Sequence, residues 1–371
     1  MRYASPKALA SVALAAGALV LAACGGGGNG GGGGSSTGTS GGGGGKVALL
    51  LPESKTARYE ALDRPLFTQK LKQLCANCQL IYSNADQDAS KQQSQAEAAI
   101  TNGAKVLVLD PVDSASAASI VTRARQSNIP VLSYDRLILN APIDSYVAFN
   151  SIEVGKLQAQ SLLKAMGGGQ GKSIVMINGA PTDNNAKLFK QGAHSVLDGS
   201  GVKIAKEYDT PDWSPDKAQT EMQQAITAVG KGNINGVYAA NDGTAGGAIA
   251  AMKGAGIDPS KVPVTGQDAE LAAVQRIVQG TQYMTVYKPI KPLADTAAQL
   301  AVEYAQGKKP AASAFNGKTN NGQADVPTVN LKVIAVTKDN VKDTIVKDKV
   351  YPVNQICSGA YASACKSAGI Q

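Results

Sequence analysis

The sequence predicts an α/β protein of two doubly wound domains with parallel sheets and a cleft between them. Three observations carry this. Short runs rich in aliphatic and β-branched residues recur from Lys46 onward, most of them apolar nearly throughout, as strands covered on both faces must be. Stretches with helical spacing separate them, for example 87–102 and 216–229. Ten such runs crowd a single open sheet, so two sheets suit the length better.

Before the first strand lie two segments of another kind. Residues 1–23 begin with Arg2 and Lys7, continue through the apolar stretch Ala8 to Leu21 and end in small residues before Cys24. That is the layout of an export signal. The ending LAAC resembles a lipobox, which implies a lipidated Cys24 as the new N-terminus. The apolar stretch is short for a membrane span. Residues 25–45 hold fifteen glycines among Asn, Ser and Thr. They cannot bury apolar surface and read as a flexible tether reaching about 25 Å. The expectation is a body on the extracytoplasmic face of the cell membrane, anchored through 24–45.

In chain order the strand candidates are KVALLL, QLIYSNA, KVLVLD, VLSYD, YVAFN, SIVMING, KIAKEYD, GVYAAND, PVTGQD and YMTVYKP. The 326 residues from Lys46 onward suit about two domains. With Arg2 and Lys7 set aside, 34 basic residues face 28 acidic ones. The lysines are scattered, without a basic run, so no nucleic-acid partner is expected. Four cysteines remain: Cys75 and Cys78 in CANC, Cys357 and Cys365 near the end. An exported setting favours disulfides, most simply the two local pairs, though four cysteines allow three pairings.

In doubly wound sheets ligands bind beyond the carboxyl ends of the strands. Those ends carry Arg58 and Tyr59, Asp135 and Arg136, Asp183 with Asn184 and Asn185, Asn241 and Asp242, Gln267 and Asp268, and Lys288. Trp213, the only tryptophan, follows the seventh run. Most of these groups donate or accept hydrogen bonds, and two present aromatic faces. A sugar hydroxyl both donates and accepts, so Asp can take its proton while Arg, Asn or Lys donates to its oxygen. Such charge-assisted bonds are worth roughly 1.5–3 kcal/mol each. Tyr59 and Trp213 would cover the C–H faces of a pyranose. Singly, an Asp after a strand is often only a helix cap; the shared placement at one end of the strands carries the functional reading.

Two motifs point elsewhere and are set aside. GGGQGKS (167–173) is one residue short of a phosphate loop and precedes a strand instead of following one. His194, the only histidine, lies mid-helix without a nucleophile partner, and no metal-ligand cluster stands out. No cofactor is expected.

At these residues the chain resembles a known family. SYDR, PTDNNAKL, NDGTAGGAI, TGQDAEL and MTVYKPI, in this order, closely resemble the D-xylose-binding proteins among the periplasmic binding proteins that feed sugar ABC importers. The likeness runs from about Lys46 to Lys349. It implies two Rossmann-like lobes joined by a three-crossover hinge, the type I periplasmic binding protein fold. The crossovers would fall near Ala148–Ser151, Lys288–Pro292 and Asp325–Thr328. The lobes would then be 46–148 plus 291–326 and 149–290 plus 327–350, with 351–371 a disulfide-bearing tail outside the family pattern. By the same resemblance Arg58, Tyr59, Asp135, Arg136, Asp183, Asn184, Trp213, Asn241, Asp268 and Lys288 would line a sugar site. Arg64 also fits the position matched to Arg58.

The implied function is a monomeric, lipid-anchored receptor that binds a monosaccharide, foremost D-xylose, and hands it to the permease subunits of an importer. Glucose, ribose and arabinose are alternative ligands. A glycoside hydrolase would need one carboxylic acid and one carboxylate at a set separation. The Asn and Lys neighbours are expected to keep the carboxylates ionised, which favours binding over proton donation. A sugar-responsive repressor shares the fold but not the export signal.

Overall fold

The parallel strands of both lobes direct their carboxyl ends toward one cleft. The computed structural model describes residues 44–370; the export signal, Cys24 and nearly all of the glycine segment lie outside the described residues. Eight elements build most of the first lobe: β1 (Lys46–Leu51), α1 (Arg64–Leu74), β2 (Gln79–Asn84), α2 (Ala89–Thr101), β3 (Ala104–Leu109), α3 (Ala118–Gln126), β4 (Val131–Tyr134) and β5 (Ser145–Phe149). The second lobe follows with α4 (Ser151–Met166), β6 (Ser173–Asn178), α5 (Asn184–Leu197), β7 (Lys203–Asp209), α6 (Pro215–Val229), β8 (Gly236–Ala239), α7 (Asp242–Gly254), α8 (Leu271–Gln279) and β9 (Met284–Tyr287). The chain then returns to the first lobe as α9 (Ile290–Ala305), β10 (Gly317–Asn320) and β11 (Asp325–Leu331), and goes back as β12 (Ile334–Thr337). Two short helices, α10 (Val353–Ile356) and α11 (Ala362–Ser367), end it.

The first sheet has the order β10-β11-β5-β4-β3-β1-β2 and is parallel except for the β10–β11 hairpin. Alternation along β1 sends Val47, Leu49 and Leu51 to one face, against Phe67 and Leu71 of α1 and Leu293, Ala297 and Leu300 of α9. Ala48 and Leu50 take the other face with Ala96 and Ile100 of α2 and Ile120 and Val121 of α3. In the second lobe β6 does the same: Ile174 and Met176 meet α4 and α5, while Val175 and Ile177 meet α6 and α7. Side-chain caps fix where the cleft-side helices start: Asn150 for α4, Asp183 for α5, Ser214 for α6 and Asn241 for α7.

Two expectations are corrected here. The run PVTGQD forms no continuous strand; it joins its neighbours by single bridges, Val264 to Val237 and Gln267 to Val286. The Thr265 hydroxyl accepts the Ala239 N–H at 2.9 Å, in place of the next ladder bond. The third crossing lies at 332–333, beyond the expected Asp325–Thr328, because Thr328–Leu331 pair in parallel with β5. The boundary between 326 and 327 therefore moves past Leu331. Pro327 precedes the first residue paired to β5, so its missing N–H costs that ladder nothing. The other two crossings sit at Asn150 and at 288–289.

Candidate functional site

VLSYDR, the end of β4, shows how an acid and a base come to share one cleft. Neighbours along a strand face opposite ways. Asp135, however, has φ 56°, and the Arg136 N–H donates to the Tyr134 carbonyl two residues back at 2.6 Å, a γ-turn. The turn cancels the alternation, and both side chains line the cleft. A left-handed non-glycine residue costs of order 1–3 kcal/mol and needs fixing by its surroundings. Here the Asp135 N–H donates to the Val147 carbonyl at 2.9 Å, and the Asp135 carbonyl accepts from Tyr146 Oη at 2.9 Å and Asn185 Nδ2 at 3.0 Å.

The Asp135 carboxylate is the hub of the first lobe's contribution. Its Oδ2 accepts from Arg58 Nη2 at 2.6 Å and from Tyr59 Oη at 3.1 Å, and Lys288 Nζ stands 4.0 Å from Oδ1. Burial alone would raise its pKa, but Arg58, Lys288 and Arg136 outweigh burial and keep it below the ordinary carboxylate value. Arg58 also lies 3.6 Å from Asp63 and 3.7 Å from Asp268. Arg64, the other candidate for this position, is exposed, pairs with Glu60 and covers the Tyr82 ring. Arg136 places Nε 3.1 Å from Asp183 and 3.7 Å from Asp110, and Nη2 3.5 Å from Glu53. The Tyr59 ring lies under both guanidinium groups, 4.7 Å from Arg58 and 5.7 Å from Arg136.

From the second lobe, Asp183 serves two purposes with its two oxygens. Oδ1 caps α5 through the Asn185 N–H at 2.8 Å; Oδ2 meets Arg136 and accepts from Trp213 Nε1 at 3.2 Å. The cap reading and the site reading of this residue are both true. Trp213 packs edge-on against Phe189, ring centres 6.3 Å apart. Its indole lies over Gly179, where a Cβ would come within 2.0 Å of the ring, so only glycine fits there. Asn241 caps α7 through Oδ1 and directs Nδ2 toward Thr56 of the first lobe, 3.5 Å away. Asp268, at φ 89°, lies 3.1 Å from Lys288.

These groups border one small space and are at most 5 % exposed. Among the described residues, buried polar atoms without a hydrogen-bond partner gather at and just behind it: Arg58 Nη1, both oxygens of Asp110, Asn185 Oδ1 and Gln267 Oε1. An unpartnered buried polar atom costs about 1–3 kcal/mol, so a ligand that supplies hydroxyls gains what the protein alone leaves unmade. Donors and acceptors from both lobes between aromatic faces suit a neutral polyol.

Nine of the ten expected site residues converge here, Arg58 as the partner of Asp135 and the rest on the cleft itself. Asn184 does not. It is half-buried at the rim, where its N–H donates to Ser114 Oγ at 3.0 Å, and Asn185, one position on, turns into the cleft. The first turn of a helix rotates successive side chains by about 100°, so a one-residue difference in capping exchanges them. Burial works against the expectation that all carboxylates stay ionised. Burial outweighs Arg136 and pushes Asp183 above its ordinary value, and pushes Asp110 well above. Asp63, buried against Arg58 and Tyr134, is raised to about 6.

A family model described as "Periplasmic binding protein domain" matches residues 47–309. The chain belongs to the periplasmic binding proteins. It is 39 % identical over 315 residues to the D-xylose-binding periplasmic protein of Escherichia coli (strain K12), covering 84 % of this chain and 92 % of that one. To the protein of the same name from Haemophilus influenzae it is 41 % identical, covering 82 % and 89 %. Among solved structures, a carbohydrate transporter solute binding protein from Chloroflexus aurantiacus in complex with D-glucose superposes with a TM-score of 0.75 at 31 % identity, covering 83 % and 97 %. The fold is that of the type I periplasmic binding proteins, and these relatives are binding proteins, not enzymes.

Sequence reasoning about this periplasmic binding protein left out Thr56 and Phe189 from the lining and Asp110 and Glu53 behind it; Asn185 and Gln267 stood among the strand-end candidates but not in the set implied by the resemblance. Asp110 ends KVLVLD and obeys the same strand-end rule that found Asp135, so it was within reach. Phe189 lies one turn into α5 and carries no polar signal. The structure joins Cys75 to Cys78 and Cys357 to Cys365. His194, on α5, bridges Asp198 and Glu207 at 2.9 and 3.0 Å. Among the described residues no helix is long and apolar enough to cross a membrane, and no metal-ligand cluster occurs.

Proposed function

We propose that this protein is the substrate-binding receptor of a sugar ABC importer and that its cleft holds one neutral aldopyranose, D-xylose foremost. The observation that carries the reading is that buried atoms without a hydrogen-bond partner on Asn185 and Gln267 border the same small space as Tyr59, Asp135 and Arg136 of the other lobe. Hydroxyls of a single pyranose can complete them, with Tyr59, Phe189 and Trp213 against its apolar faces. The two relatives named for D-xylose support the choice of pentose. D-glucose is the second reading, favoured by the complex of the Chloroflexus aurantiacus neighbour.

Cys24 would be acylated, residues 25–45 would tether the body outside the membrane, and the protein would act as a monomer that releases sugar to the permease. Hydrolysis is disfavoured, since Asp110 and Asp183 are tied to the same guanidinium of Arg136.

Calorimetric titration with D-xylose, D-glucose, D-ribose and L-arabinose tests the ligand. Tight one-to-one binding of D-xylose, with the sugar recovered intact, is the expected result; no heat with any of the four would overturn the sugar reading. Labelling of cells with a radioactive fatty acid tests the anchor, and Cys24→Ser should abolish incorporation.

A further inference from the structure

At one rim of the cleft the Glu270 carboxylate adds a further bond between the two lobes. Glu270, at the start of α8, accepts the Ala57 N–H at 3.1 Å through Oε1, and Ala57 belongs to the loop after β1 in the other lobe. Among the described residues this is the one hydrogen bond to that carboxylate, which is only 7 % exposed. None of the cleft-lining atoms belongs to Glu270. We infer that Glu270 is a positioning residue that latches the closed lobes and couples sugar binding to the uptake of one proton. This rests on the proposal that the cleft binds sugar.

The surroundings of Glu270 are acidic. Its own N–H donates to Asp242 Oδ2 at 2.9 Å, which brings a second buried carboxylate beside it, and Asp268 precedes it by two residues. Asp242 is otherwise bonded within its own lobe, to Gln282 Nε2 at 2.7 Å and Thr285 Oγ1 at 2.9 Å. The cation on α8, Arg276, is turned to the Asp242 carbonyl and to Gln282 and forms no ion pair with Glu270. Tyr351, from the segment before α10, is the remaining titratable neighbour; from the first lobe the loop presents Thr56 and Ala57. Asp268 has Lys288 at 3.1 Å and Arg58 at 3.7 Å, but Glu270 and Asp242 share only the engaged guanidinium of Arg276 and cannot both stay charged cheaply. Burial first, then Asp242 and Asp268, accordingly push Glu270 well above the ordinary glutamate value.

The lobes must part for a ligand to reach groups that are at most 5 % exposed, and three short crossings are all that join them. Parting takes away the Ala57 N–H, which holds the value down, but admits water, which relieves the larger effect of burial, so Glu270 returns toward its ordinary value. The closed form therefore binds more protons. Its advantage is complete below the ordinary value and is lost as pH rises through the raised one. Asp242, itself pushed up to about 7 by burial, keeps its bonds within one lobe whether the cleft is open or closed and contributes little to this difference.

The test is the affinity for D-xylose from pH 5.5 to 8.5 in the wild type, Glu270→Gln and Ala57→Pro. In the wild type affinity should fall with rising pH, by up to tenfold per unit for one proton. Glu270→Gln keeps an acceptor for the Ala57 N–H without a charge. It should bind at pH 8 at least as tightly as the wild type and lose one proton's worth of slope. Ala57→Pro removes the donor from the opposite lobe, so affinity should drop several-fold while the slope, which burial sets, is retained. Parallel pH curves for wild type and Glu270→Gln would overturn the latch and leave the sugar reading standing. Absence of D-xylose, D-glucose, D-ribose and L-arabinose binding in the wild type would overturn both.

Discussion

Both guanidinium groups of the cleft, on Arg58 and Arg136, come from the first lobe, together with the carboxylates of Glu53, Asp63, Asp110 and Asp135. The amides of Asn185, Asn241 and Gln267, and the rings of Phe189 and Trp213, all come from the second. Asp183, Asp268 and Lys288 carry charge into that half, and each of the two carboxylates meets an arginine of the first lobe across the cleft, at 3.1 and 3.7 Å. The difference assigns separate tasks. Charge in the first lobe is a buried network that must balance whether or not ligand is present, whereas the second lobe presents neutral groups and surfaces that a sugar's shape can test. Substitutions in the first half should therefore damage stability and binding together, and those in the second half binding alone.

The sharpest way to break this comparison is Arg136→Ala set beside Asp268→Ala. Removing Arg136 leaves Glu53, Asp110 and Asp183 buried without their shared cation, a loss of about 3–5 kcal/mol of stability. Denaturant unfolding should show it directly, and sugar binding should be lost with it. Asp268→Ala removes one acceptor and a partner of Lys288, and should weaken binding by roughly 2 kcal/mol, about 30-fold, while the unfolding midpoint moves far less. Equal loss of stability in the two variants would erase the distinction between the lobes.

How much of this was legible beforehand follows the same division. Charged residues at strand ends announce themselves, because a buried strand has no structural use for Asp135 and Arg136 side by side; the rule that ligands sit at carboxyl ends did the rest. The alternating pattern likewise marked β1 to β9. The returning strands escaped it. GKTN in β10 is exposed and polar, VPTVNL in β11 contains a proline; β11 acquires strand character from β5 beside it, and β10 from β11. Pairing that far along the chain has no local signature. The choice between Asn184 and Asn185 depended on the cap geometry at Asp183, which spacing alone does not resolve. Phe189 and Gly179 were silent because their roles are shape.

Gly179 offers a test of the second lobe's half of the argument. Gly179→Ala places a methyl group within 2.0 Å of the indole, so Trp213 must move and its bond to Asp183 must lengthen or break. The expected result is about tenfold weaker sugar binding, near 1.4 kcal/mol, with a shifted emission from the single tryptophan in the sugar-free protein. Affinity and emission that both match the wild type would mean the indole is not a wall of the cleft.

The smallest effect separates two neighbours. Asn185 donates to the Asp135 carbonyl across the cleft and keeps Oδ1 free for ligand, while Asn184 touches the rim only through its backbone N–H, which any residue supplies. Asn184→Ala should change affinity by no more than about 0.5 kcal/mol, the range of ordinary surface substitutions. Asn185→Ala should cost about 1–3 kcal/mol, because the carbonyl of the strained Asp135 loses one of its two donors and the ligand loses an acceptor. Titration of the two variants under one buffer compares them directly. A larger loss at Asn184 would mean that the helix begins one residue differently when sugar is bound, and that the second lobe fits itself to the ligand instead of presenting a finished surface.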